Sequence, residues 1–286
     1  MSKEFELSKE DFRKMQLIEL DLLKEFDRVC RLHNISYVIT DGTMLGAVRH
    51  HGFIPWDDDA DICMLREDYE RFKKEAMKDL NPDICFFQDN TTDPYYRWGY
   101  AKLRRTGTQH IRVGQEHLKC KTGIFIDIMP YDDIPHNLCL QLIQNFYCFC
   151  CRKVLWSEVA KKNTGGFKKL WFSLLSHISI ETVYNFLSVY TRRSRNSSTN
   201  RVRLLLFIPP GREYTKKPLN DRYGMTKKWI TERAEYTFEG VPLYGSRDYD
   251  GFLKWKFGDY MKLPSEDKRC GHAQVSFISF GESLKK

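Results

Sequence analysis

No stretch of this 286-residue chain reads as a membrane span. The most apolar run, Leu170 to Tyr190, contains His177, Glu181 and Asn185, which a spanning helix would bury at high cost. An amphipathic helix or helix pair is expected there, either packed in a core or lying on a membrane. A signal peptide is also missing: Ser2 to Lys14 is charged where an apolar run would be needed. There is no internal repeat and no low-complexity tract. Lys and Arg form no concentrated stripe, and the acidic centre would repel a phosphate backbone, so nucleic acid is not an expected partner. The nine cysteines are an odd number. Their one cluster, Cys148-Phe-Cys150-Cys151, has no second Cys or His pair at zinc spacing. Buried free thiols in a reducing compartment are the expectation. These absences place the protein in the cytoplasm, with peripheral attachment at the inner face of a membrane left open.

What is present supports a real core. Apolar residues make up 42 % and aromatics 14 %, enough for one large domain or two modest ones. The net charge of +8 and pI near 8.9 suit anionic partners: nucleotides, phosphorylated glycans or an anionic membrane surface.

Ser8-x-x-Asp11 is a helix start, and Met15, Ile18, Leu22, Phe26, Val29 and Leu32 then form one apolar stripe. Ile35 to Thr40 is a short strand. A helix opens at Gly42 and runs from Thr43 to about His50. Ala60 to Leu65 is the second strand, and Arg66 to Leu80 a charged surface helix. Strands follow at Ile84 to Gln88, Trp98 to Arg104 and Ile124 to Ile128. Beyond Pro130 the pattern turns helical: one helix from Leu138 to about Lys161, a Gly165-Gly166 break, and a second from Phe167 to Arg193. Pro209 to Asp221 is irregular. A hairpin is expected around Glu239-Gly240 and a short helix from Tyr249 to Phe257, stopped by Gly258. The fold class is α/β (α+β): a mixed-sheet core over residues 1–135 and a mainly helical part over 136–286, packed together as one unit.

The chemistry concentrates between Asp41 and Met64. A Gly42-Thr43 turn opens a helix, where backbone N–H groups and a hydroxyl suit a phosphate. Gly52 to Pro55 then breaks the chain, and Asp57, Asp58, Asp59 and Asp61 follow at once. On a strand, period-two geometry puts Asp57, Asp59 and Asp61 on one face and turns Asp58 away. Like charges on one face call for a cation, and carboxylates suit hard divalent ions. Asp127, alone within Ile124-Phe-Ile-Asp-Ile128, is expected either to share that metal or to take a proton. Arg49, about two turns into the helix, reaches toward the same anion. Adjacent His50 and His51 point about 100° apart and cannot easily serve one ion, so substrate contact or helix-end stabilisation suits them better. Lys102 and Arg104 share a strand face that could meet phosphate, with Arg105 turned to solvent. Tyr95, Tyr96, Trp98 and Tyr100 either pack a core or receive a quaternary ammonium over their rings, and Trp56 either contacts substrate or braces its turn.

A small-residue turn, a helix, two carboxylates on a strand and a third on a later strand together resemble the nucleotidyltransferase fold. The match then sharpens. Gly46-Ala-Val-Arg-His-His-Gly-Phe-Ile-Pro-Trp-Asp-Asp-Asp-Ala-Asp61 resembles the signature of the LicD family, phosphocholine transferases of bacterial surface glycans, and that of fukutin and the fukutin-related protein, which transfer ribitol phosphate. Tyr37 to Thr43, Gly123 to Pro130, and a C-terminal block made of Phe238-Glu-Gly240 and Tyr249 to Pro264, with Arg269 and His272, extend the resemblance. It implies a CDP-linked donor, CDP-choline first, whose phosphoalcohol passes to a hydroxyl of a surface glycan or lipid-linked glycan precursor while CMP leaves. Phosphoethanolamine, ribitol phosphate or glycerol phosphate remain rival transferred groups, as do nucleotidyl transfer with pyrophosphate release and a non-catalytic binding role. It also implies Asp59, Asp61 and Asp127, with Asp57 as an outer ligand, around magnesium or manganese. Gly42, Thr43, Arg49 and Lys102 would meet phosphate. Trp56, Trp98, Arg269 and His272 would contact substrate.

Overall fold

A computed structural model describes residues 7–194, 200–206, 223–269, 271 and 274–281. The irregular stretch expected at Pro209 to Asp221, and His272, lie outside these residues.

Helix α1 (Lys9–Leu32) starts where the sequence says, with the Ser8 hydroxyl accepting from the Asp11 N–H. Its stripe is buried from Met15 to Val29, but Leu32, the last expected position, is exposed at the end of the helix. Strand β1 (Val38–Ile39) leads into α2 (Asp41–His50), and β2 (Asp61–Leu65) leads into α3 (Arg66–Arg71). The expected charged helix does not stay regular. It widens into a π turn over Phe72–Ala76 and tightens into a 3-10 turn over Met77–Asp79. Strands β3 (Cys85–Gln88), β4 (Ala101–Arg105), β5 (Gln109–Arg112) and β6 (Phe125–Asp133) follow. Four helices come next: α4 (Leu138–Leu155), α5 (Ser157–Asn163), α6 (Gly166–Leu175) and α7 (Ile180–Ser194). The chain then returns to sheet as β7 (Arg201–Arg203) and β8 (Met225–Thr226). After α8 (Lys228–Thr231), β9 (Arg233–Phe238) and β10 (Val241–Ser246) make the expected hairpin. Helix α9 (Tyr249–Phe257), stopped at Gly258, and β11 (Val275–Ser279) complete the described elements.

The mixed α/β class is borne out. The main sheet runs β3-β4-β6-β2-β1-β10-β9, with β7 joined to β6 and β8 to β7. The C-terminal hairpin therefore extends the sheet begun by the N-terminal half, β10 lying parallel to β1. Strand β6 runs through Pro130, whose missing N–H is tolerated because β4 ends opposite Ile128 and only β2 flanks the proline. The main core lies between this sheet and α1, with Leu22, Phe26, Ile62 and Ile126 fully buried. A smaller core under α4 and α7 is built from Cys148, Cys151, Val183 and Leu187. The long helices expected over 138–161 and 167–193 are each broken, at Trp156 and over 176–179, where no Pro or Gly announces the break. Among the described residues, no helix is long and apolar enough to cross a membrane.

Candidate active site

The centre of the sheet is where β2 and β6 lie parallel, and Asp61 stands directly beside Asp127 in their register. A cleft of about 890 Å³ opens over this point. Asp57, Asp59, Asp61 and Asp127 line it, together with Gly42, Arg49, Trp56, Tyr100 and Arg112. Residues of the C-terminal block, Lys256 to Ser265, form the opposite wall.

Asp57, Asp58 and Asp59 are not on a strand, because β2 begins only at Asp61. They sit in the loop before it, closed by an Asp57 N–H to Ile54 carbonyl bond of 2.9 Å. Gln16, buried on α1, donates to the carbonyls of Ile54 and Asp57 and fixes that loop from below. The period-two expectation for Asp58 therefore fails. Asp58 does not turn away but is buried, and one oxygen from each of Asp57, Asp58 and Asp59 lies within 4.8 Å of the others. Gly42 makes room for this cluster: a Cβ there would stand 2.3 Å from the Asp57 carboxylate.

Thr43 also has a different job from the one its position suggests. Its side chain is buried, and its Oγ1 accepts the Asp61 backbone N–H at 2.7 Å. The hydroxyl straps the first residue of β2 to α2, and Thr43 is not among the residues that line the cleft. Lys102 is likewise removed from direct phosphate contact. It lies opposite Asp127 on the neighbouring strand, buried, in an ion pair with that carboxylate, its Nζ over the Phe125 ring. Burial drives the Lys102 amine down to about 8, against the raising pull of Asp127. Arg104 on the same face is buried too, donating to Gln88 and to the Gly123 carbonyl.

Arg49 does line the cleft, donating to the Tyr260 carbonyl at 2.7 Å and to His50 Nε2 at 3.0 Å. His50 packs edge-on to Trp56, and exposed His51 closes α2 in a left-handed conformation. Trp56 faces the cleft, with the Arg269 guanidinium 5.6 Å from its ring centre. Trp98 does not line the cleft. It packs against Tyr96 with the two rings tilted at 42°, and its carbonyl accepts from Tyr184 of α7. Of the four aromatics at 95–100, Tyr100 alone is part of the lining.

Two residues that complete the site escaped the sequence reading. Arg112, at the end of β5, lies 3.8 Å from Asp58 and 3.5 Å from Asp59, and among the described residues neither its Nε nor its Nη2 has a hydrogen-bond partner. Glu19 is buried on α1, and its Oε2 is unpartnered. Burial pushes the Glu19 carboxyl well up, and Asp59, Asp58 and Asp57 push it further. Asp61 is raised well above the ordinary carboxyl range for the same reasons: burial first, then Asp59, Asp41, Asp127 and Asp57. A signal for Glu19 existed, since it falls on the apolar stripe between Ile18 and Leu22. Arg112 had none, because Gln109–Arg112 is short and polar.

Asp57, Asp58, Asp59, Asp61, Asp127 and Glu19 crowd together here, with Arg112 beside Asp58 and Asp59, Lys102 committed to Asp127, and Lys256 of the lining paired with Asp41. All the acidic donors are hard oxygens, and two are pushed toward protonation by their neighbours. Such a set suits a hard divalent cation at the Asp57–Asp61 loop.

Residues 34–139 match the family described as LicD/FKTN/FKRP, nucleotidyltransferase domain. Lipopolysaccharide cholinephosphotransferase LicD of Haemophilus influenzae is 28 % identical over 279 residues, 95 % of this chain and 100 % of its own length. An uncharacterized protein of Rickettsia typhi is 47 % identical over 53 residues, 18 % of this chain and 17 % of its own. Another, of Rickettsia prowazekii, is 51 % identical over 47 residues, 16 % and 18 % of the two chains.

Proposed function

We infer that this chain transfers phosphocholine from CDP-choline to a hydroxyl of a surface glycan or lipid-linked glycan precursor, a reading supported by the match of residues 34–139 to the LicD/FKTN/FKRP family. The observation that carries the reading is the carboxylate-lined cleft at the β2–β6 junction, with Asp61 and Asp127 side by side and Asp57 and Asp59 above them. The full-length similarity to a protein named as a cholinephosphotransferase supports choline as the transferred alcohol.

In this reading Asp57, Asp59 and Asp61 hold magnesium, or manganese in its place, with Asp127 completing the set or accepting the acceptor's proton. The ion supplies charge neutralisation on the donor diphosphate. The chain's own residues do the rest. Gln16 and Thr43 hold the acidic loop and the start of β2 in place. Lys102 fixes the Asp127 carboxylate through their buried pair. Arg112, with two donor nitrogens unspent, and Arg49, already in the lining, meet the anionic donor. Trp56 and Tyr100 offer ring faces to the quaternary ammonium, and Arg269 over Trp56 is a cation already using one. The acceptor hydroxyl attacks the phosphorus bearing choline, the bond from that phosphorus to the bridging oxygen breaks, and CMP departs.

The test is CMP release from CDP-choline, CDP-ethanolamine, CDP-ribitol and CDP-glycerol, with and without magnesium. Preference for CDP-choline with magnesium supports the reading. Preference for another donor keeps the reaction and replaces the alcohol. Silence with all four, and no thermal shift from any, overturns it.

A further inference from the structure

We propose that the outward face formed by α4, α6 and α7 docks on an anionic lipid bilayer. The N-terminal half of α4 is built inside out, while its C-terminal half buries Cys151, Val154 and Leu155 in the ordinary way. The helix buries Gln141, Gln144 and Cys148 and exposes Leu142, Ile143, Phe146 and Phe149. A water-facing helix does the reverse. Helix α6 is stranger still: ten residues, Gly-Phe-Lys-Lys-Leu-Trp-Phe-Ser-Leu-Leu, with none buried. Phe167 is 80 % exposed, and Leu170, Trp171 and Leu174 at least half. Phe186 and Val189 add an exposed edge from α7. Helix α4 packs on both α6 and α7, so the exposed apolar side chains come from adjoining helices of one cluster. Continuous apolar surface of this kind marks an interaction face.

Charge selects the occupant. Residues 138–194 contain eight Lys and Arg and only two acidic residues, Glu158 and Glu181, so they hold six of the chain's eight net positive charges. The cations border the apolar side chains: Lys168 and Lys169 lie within α6, and Lys153 stands over the Phe149 and Phe172 rings. A second copy of this chain would bring the same positive face against itself. The segment 207–222, outside the described residues, is also net basic, with four Lys and Arg against two acidic residues. An anionic bilayer complements both features, taking the aromatic and aliphatic side chains into its interface and the lysines among its headgroups. The attachment is to one surface, because none of the described helices can cross.

Flotation of the full chain with vesicles of phosphatidylcholine, alone or with about one third phosphatidylglycerol, tests this. The wild type is expected to float with the anionic vesicles, and at least about tenfold less with neutral ones or at high salt. Phe167→Ser with Trp171→Ser, and separately Lys168→Glu with Lys169→Glu, are each expected to lower the partitioning at least about tenfold. All four positions are exposed, so melting temperature and CMP release from CDP-choline should stay at wild-type values. Binding to neither vesicle overturns the proposal, as does binding indifferent to lipid charge. A dimer that the same variants dissolve, without vesicle binding, would assign the face to a second copy instead. The vesicle binding and the melting temperature do not depend on which donor the cleft accepts.

Discussion

Replacing Thr43 with Val separates two roles for one hydroxyl. Thr43 is 3 % exposed, and its Oγ1 accepts the Asp61 N–H at 2.7 Å. Val keeps the shape and removes the acceptor. The Asp61 N–H is then left in the cleft wall without that partner, at a cost of about 1–3 kcal/mol. With a urea slope of about 3 kcal/mol/M, the unfolding midpoint should fall by roughly 0.3–1 M. Thr43→Ser, which restores the oxygen, should recover most of it. Activity should follow the same strap. Asp61 opens β2, and a carboxylate displaced by a fraction of an ångström should lower kcat by about 10–100-fold with donor KM little changed. Equilibrium urea unfolding and steady-state kinetics on the two variants check both halves. A Thr43→Val protein as stable as wild type, with KM raised and kcat intact, would refute the strap and return the hydroxyl to the donor phosphate.

Three further outcomes are expected. Asp59→Asn should lower metal-dependent turnover by about 10³-fold, some 4 kcal/mol of barrier, yet leave the metal-free protein at least as stable in thermal melts, because it removes one of several crowded negative charges. Gly46→Ala should destabilise by about 1–3 kcal/mol in chemical denaturation. This reverses the gain usual for Gly→Ala in a helix, because the new Cβ would stand 2.4 Å from the Gly52 carbonyl oxygen. Glu19→Gln should flatten the pH dependence of stability. The Glu19 carboxyl is raised in the folded protein, so the fold binds a proton the unfolded chain has lost, and stability present below the ordinary carboxyl value drains away as pH climbs toward the raised one. In EDTA, wild type should lose stability as pH rises above the ordinary carboxyl range and Glu19→Gln should lose less; parallel curves would mean Glu19 is not proton-bearing.

Where local chemistry decides structure, the sequence was legible. The Ser8 cap, the α1 stripe, β2, the hairpin at Glu239-Gly240 and the Gly258 stop all rest on neighbours in the chain, and all are found. What escaped depends on partners far away. Strands β5 and β11 pair only with each other, across more than half the chain, and neither has an apolar alternation of its own. With β5 unseen, Arg112 could not be placed, although it carries the cation nearest the acidic loop. Lys102 was read as facing substrate because strand parity gives only a face. The register against β6 decides that this face meets Asp127. Asp58 was misjudged for the opposite reason, since a strand period was applied to a loop that Gln16 and Gly42 shape from outside. Gln141 and Gln144 of α4 are buried, Gln141 donating to the Pro135 carbonyl, while Leu142, Ile143, Phe146 and Phe149 face outward. No helical periodicity rule anticipates that inversion in a water-facing protein.

The most direct measurement of the central claim is hydrolysis of CDP-choline in oxygen-18 water with magnesium, products resolved by mass spectrometry. Attack at the phosphorus bearing choline predicts the label in phosphocholine and none in CMP, with the reaction lost in Asp59→Asn. Label in CMP, or turnover that persists without magnesium and in the variant, would contradict it.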